Sequence, residues 1–163
     1  MTTPTLPQAA HDHHERLLEH VNRIPADADA LLTATSDAAL ASIRETRAFL
    51  TGTLLPHMEA AERALYPQLE RMFQNRHSMA PMRREHDRIR ELVGEFGTLV
   101  DKDAGHVSLG RTLALRRVLF GLYALLKVHL GEEEAYLRIV ERGVTDDVAD
   151  AVTAALEHPI AGS

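Results

Sequence analysis

Histidine and glutamate recur in this chain at spacings that would gather them inside a helical bundle. In KVHLGEEEAYL, residues 127–137, Glu133 follows His129 by four positions. At about 100° per residue the two side chains lie within about 40° of each other, one turn apart. Val118, Leu122, Leu125 and Leu126 precede His129 on the same face, so the histidine and the carboxylate belong to the apolar stripe of their own helix. Burying such groups is unfavourable unless they are paired or hold a cation. The chemistry they suggest is metal binding.

Three further histidines repeat the pattern. His14 shares a stripe with Leu17, Val21 and Ile24, which makes it, rather than His13, the inward one; His11 lies one turn earlier on that stripe and is the alternative. His57 shares a face with Ile43, Leu50, Leu54 and Ala61, and His86 falls in the row Met82, Ile89, Val93, Phe96, Val100. One histidine on an apolar face is usually a satisfied core residue. Four of them converging, with Glu133 beside the last, form the inward-projecting donor set from which bundles build iron and manganese sites. Ten histidines against no cysteine point the same way.

The elements that must position these residues are read as follows. A first helix over 8–24 stops at Pro25, and Ser36 caps a long helix to about Phe73 that Pro56 kinks or loosens. Ser78 caps a third helix, with Pro81 in its first turn and an end near Asp101. DKDAGHVSLG is a loop before a fourth helix, 111–141, closed by Gly143, and Thr145 caps a short final one holding Val148, Val152 and Leu156. The expected fold is all-α: an up-and-down four-helix bundle over about 7–142, with an extra C-terminal helix over about 145–158, the whole of 1–163 being a single domain. Gly131, between His129 and Glu133, lowers helix stability by about 1 kcal/mol and reads as room for close packing.

Composition narrows the function classes. A net charge of -6 disfavours nucleic acid as a partner. Without cysteine there is no disulfide framework and no thiolate zinc site. No apolar run approaches the roughly 18 to 20 residues of a membrane span, and MTTPTLPQ lacks the basic-then-apolar pattern of a leader. The expectation is a cytoplasmic protein with no membrane partner.

The ordered anchors DHHERLLEHV (12–21), LLPHMEAAERALYP (54–67), MRREHDRIRELV (82–93) and VHLGEEEAYL (128–137) resemble the hemerythrin-like family of histidine/glutamate cation-binding bundles. The resemblance implies a four-helix bundle around non-heme iron, usually a pair and oxo-bridged in that form. It also implies a small ligand, dioxygen, peroxide or nitric oxide. The ligands it implies here are His14, His57, His86, His129 and Glu133, with Glu134 as the alternative carboxylate; the helical angle favours Glu133. Two family positions differ: Ala61 stands where a bridging glutamate is usual, and Met82 where oxygen carriers have a second histidine.

Four histidines and one carboxylate suit one octahedral metal with an open position better than two. The other reading is a ligand-poor iron pair completed by Glu62, solvent or a tyrosine. Tyr136 lies on the His129 stripe, though a core tyrosine is the plainer reading. Glu59 and Glu62 are rotated about 160° and 140° from His57 and face solvent by default. His13, His20, His77, His106 and His158 read as solvated, the arginine-rich stretch 83–85 as charged surface, and Met58, Met72, Met79 and Met82 as core filler.

The function these readings support is a non-heme iron protein, with one or two ions, that binds or processes dioxygen, peroxide or nitric oxide in an oxidative-stress or sensing role. No acid/base pair beyond the ligands is evident, so catalase- or peroxidase-like turnover is left open and no catalytic residue is assigned. The alternatives are a metal-responsive regulatory protein without turnover, and a scaffold that has lost its metal.

Overall fold

The computed structural model describes residues 6–33, 36–101, 108–143, 151 and 154–156. The chain forms α1 (Leu6–Ala30), α2 (Ser36–Phe49), a π turn over Leu50–Leu54, α3 (Leu55–Ala60), a second π turn over Ala61–Leu65, α4 (Tyr66–Met72), α5 (Ala80–Asp101) and α6 (Leu109–Gly143). From α2 to α4 the segments continue as one rod, because the junction residues keep right-handed helical dihedrals. Four rods make an up-and-down helical bundle in which α1 and α5 both pack along α6, and among the described residues there is no strand. Residues 154–156 are helical, and Leu156 is buried against the bundle. Thr145, the expected cap of that last helix, lies outside the described residues. No helix among the described residues is long and apolar enough to cross a membrane.

The expected stop at Pro25 does not occur, since α1 runs through it to Ala30. A proline inside a helix removes one backbone bond and crowds the carbonyl four residues back. Here the turn beyond it is held by burial of Ala28 and Leu31. Arg116 also donates to the Ala28 carbonyl at 2.6 Å and to the Asp29 carboxylate at 2.9 Å. Ser78 is not a cap either: its hydroxyl donates to the Asn75 carbonyl at 2.8 Å, and α5 begins at Ala80. Before it, α4 ends on Gln74 at φ 50°, with the amides of Gln74 and Asn75 returning to the carbonyls of Arg71 and Glu70. That is the left-handed closure glycine normally provides.

The two π turns explain the prolines of the second rod. Pro56 and Pro67 each fall in the first turn of the α segment that follows a π turn. Widening the preceding turn relieves the clash between the proline ring and the carbonyl behind it, so the rod continues rather than breaking. Each wide turn also absorbs an extra residue and rotates everything after it. Ala60 and Ala61, where α3 meets the second π turn, are both fully buried.

The interior divides into two apolar clusters. One holds Leu17, Leu54, Ile89 and Leu130; the other holds Ala10, Ala61, Met82 and Leu137. His14, His57, His86 and His129 each lie on their rod where the first cluster gives way to the second.

Candidate metal centre

At that boundary the four histidines and Glu133 converge, every one of them at most 1% exposed. Each rod contributes a stripe residue, so the helical period alone carries the side chains inward. The Glu133 carboxylate is shared. Its Oε2 lies 2.9 Å from His57 Nε2 and 3.3 Å from His14 Nε2. Its Oε1 accepts a hydrogen bond from the Tyr66 hydroxyl at 3.2 Å. Tyr66 Oη is also 3.1 Å from His86 Nε2, which is in turn 2.9 Å from His129 Nε2. Two groups able to hold a cation result, His14–His57–Glu133 and His86–His129–Glu133, joined through the one carboxylate.

All four histidines face this point with Nε2 and turn Nδ1 outward. His86 Nδ1 lies 2.6 Å from Glu62 Oε1, and His129 Nδ1 lies 2.9 Å from Glu85 Oε2. His57 Nδ1 lies 3.2 Å from His13 Nε2, and His14 Nδ1 lies 3.4 Å from Glu134 Oε2. An ionised carboxylate only accepts, so the Nδ1 atoms facing Glu62 and Glu85 carry the protons. The Nε2 atoms of His86 and His129 are then bare lone pairs pointed at each other. Tyr66, with one proton, cannot satisfy both of its acceptors. His14 is more extreme: neither ring nitrogen has a partner in hydrogen-bond geometry. A convergence of lone pairs that is short of protons is what a cation completes, and nitrogen with carboxylate and phenol oxygen suits iron or manganese.

The electrostatics carry the same signature at His57 and His86 and depart from it at His14. Burial pushes the His57 imidazole down and holds His86 at about 4. Burial also acts against a charged His14, yet Glu133 and Glu134 outweigh it and hold that ring at about 9. Glu133 stays well below the usual carboxylate range despite burial, because His57 and His14 stand against it. Burial and the neighbouring Glu133 push the Tyr66 hydroxyl far up, so without a cation it remains a phenol.

Several residues outside the expected set belong here. Tyr136, the expected candidate tyrosine, is only partly buried and meets Phe73 edge-on at 6.4 Å, away from the centre. The tyrosine at the centre is Tyr66. Nine residues after His57 it would face the opposite side of an ideal helix; the π turn over Ala61–Leu65 brings it round. Glu62, expected in solvent, reaches the outer nitrogen of His86 and also accepts from Arg90 at 2.8 Å. Glu85, read as ordinary surface, backs His129. His13, read as solvated, is half-buried behind His57, and burial lowers it to about 3. His11 is not at the centre: it pairs with Glu134 at 2.6 Å and Glu141 at 2.7 Å. Glu59 does face solvent, and the four buried or part-buried methionines are packing residues, as read. The available signal for Tyr66 was Pro67 immediately after it, a second proline inside a helical stretch.

Fold and centre together define a histidine/glutamate metal-binding helical bundle. The chain belongs to the hemerythrin family: the model for the hemerythrin HHE cation binding domain matches residues 6–140. Comparisons with curated proteins and with solved structures give no match.

Proposed function

We propose that the chain holds two iron ions, one between His14 and His57 and one between His86 and His129, with Glu133 shared between them. The carrying observation is the division of that one carboxylate between two pairs of inward Nε2 atoms. It supports a pair in spite of Ala61, and Tyr66 supports it further as an oxygen donor on the His86/His129 side. Iron supplies the redox chemistry and open coordination that dioxygen, peroxide or nitric oxide require. The residues of the chain orient that chemistry and keep water from it. Apolar clusters close the centre on both sides, the outer carboxylates fix the imidazole rings they face, and the Tyr66 hydroxyl, donating to Glu133 Oε1, orients that carboxylate. The role is binding or processing of such a small oxidant.

Complete burial of the five donors favours a second reading, in which metal stabilises the bundle without turnover. Iron content per chain and the absorption spectrum, on protein purified without chelator or affinity metal, test the first claim. Two irons per chain, reduced in His86→Ala, support it; an unchanged iron content in that variant refutes the centre. Peroxide turnover by the same sample separates the two readings, since a large rise in melting temperature with metal and no turnover supports the second.

A further inference from the structure

The residues behind the four histidines are not equivalent, and the difference falls between the two halves of the centre. Behind the His86/His129 half stand two carboxylates in close contact, Glu62 at 2.6 Å and Glu85 at 2.9 Å. Tyr66 Oη adds an oxygen to that half alone. Behind the other half the support is weaker in both places. Glu134 lies 3.4 Å from His14 Nδ1, outside hydrogen-bond geometry. The partner of His57 Nδ1 is no carboxylate at all but His13 Nε2. When His57 presents Nε2 to a cation, its Nδ1 carries the proton and His13 must accept it as a neutral ring. A neutral acceptor raises the basicity of the ligand imidazole less than a carboxylate does.

From this we infer that the two metal positions are unequal. The His86/His129/Tyr66 position binds tightly and favours the trivalent ion, the His14/His57 position binds weakly and exchanges, and His13 is the positioning residue that keeps the second one weak. The inference rests on the two-ion reading above. It makes the half-loaded chain a distinct, populated state and places exchange of the second ion at the α1 side of the bundle.

The test is anaerobic titration of metal-free protein with ferrous iron, followed calorimetrically. Release into graded chelator, with metal counted per chain, is measured alongside. Changes behind a ligand histidine typically shift metal affinity by about 10- to 100-fold. Wild-type chain is expected to load and lose its two ions in separate steps. His13→Glu should tighten only the weaker step, by about tenfold or more, closing the gap. His13→Gln, which still offers a neutral acceptor, should keep the wild-type pattern. Glu62→Gln and Glu85→Gln should each weaken only the tighter step by about tenfold. A role of His13 in packing alone would not give tighter binding in His13→Glu. Two ions bound and released in one step in wild type would overturn the inequality, as would His13→Glu weakening both steps. A single ion at saturation would overturn the two-ion reading itself, an outcome separate from either.

Discussion

Replacing Tyr66 by phenylalanine isolates the residue that the π turn brings to the centre. The ring stays and fills the same space, so no cavity forms, and only the hydroxyl is lost. In the metal-free chain that hydroxyl is the donor to Glu133 Oε1, on a carboxylate with no exposure to solvent. A hydrogen bond to a charged group contributes about 1.5–3 kcal/mol, and a buried charge that loses its donor bears the full penalty. For a chain of 163 residues, each kcal/mol moves the melting temperature by roughly 2–4 °C. Tyr66→Phe should therefore melt about 3–12 °C below wild type in chelator, measured by circular dichroism at neutral pH. The iron-loaded proteins give the second half of the assay. If Tyr66 donates its oxygen to ferric iron, wild type shows a phenolate-to-iron charge-transfer band in the visible that Tyr66→Phe lacks, with iron still bound by the histidines. An unchanged melting temperature in the metal-free state, together with an unchanged visible spectrum in the loaded state, would refute the placement of Tyr66 at the centre.

Three other outcomes follow from single features. Metal-free protein should lose stability as pH falls below about 6.5, because His57, His86 and His13 are held neutral in the fold while their unfolded counterparts take up protons. The unfolded state binds more protons across that window, down to about 4 for His86, so stability rises with pH there. His14 acts in the opposite sense: raised to about 9, its contribution is present below pH 6.5 and is lost as pH climbs toward 9. Urea midpoints in chelator should thus peak between these limits, and a flat profile from pH 4 to 9 would contradict the assignments. Gly131→Ala should stabilise the chain by about 0.5–1 kcal/mol. A Cβ there meets nothing within 4 Å, so the expected close packing at this glycine is absent and only its helix penalty remains; a lower denaturant midpoint would show otherwise. Gln74→Gly should stabilise by about 1 kcal/mol, since Gln74 closes α4 at φ 50° and glycine takes that conformation without strain; a midpoint unchanged or lowered would refute this.

The stripe histidines and Glu133 were legible because the helical period is a local property that burial enforces. His14 with Leu17, Val21 and Ile24 reads as one face on paper and is one face in the bundle, each at most 1% exposed. The outer partners were not legible for the same reason. Glu62, Glu85 and His13 leave their own stripes and are turned toward histidines of other rods, so only the packing of one rod on another discloses them. Pro25 shows the limit of a local rule: the penalty of a proline is real, but contacts from Arg116 and burial of Ala28 outweigh it.

Tyr66 marks where the helical count itself fails, and it bears directly on how the centre tolerates Ala61. An ideal helix puts position 61 beside His57 and position 66 on the far side. Ala61 brings no donor to the centre, and a strictly α-helical rod would have left this side of Glu133 facing only apolar atoms. The chain has a π turn beginning at Ala61 itself, followed at once by Tyr66 and Pro67. The extra residue held in that turn rotates Tyr66 into contact with Glu133 Oε1 and His86 Nε2. Proline at 67 disfavours the alternative in which the turn tightens back to α and carries Tyr66 away, because its ring would then meet the carbonyl of Arg63. The absence of a carboxylate at position 61 and the arrival of a phenol at the centre from position 66 are thus linked through one local change of helical register. A Pro67→Ala chain, free to relax that turn, is the variant in which the tyrosine contact should weaken while His57 and His86 stay where they are.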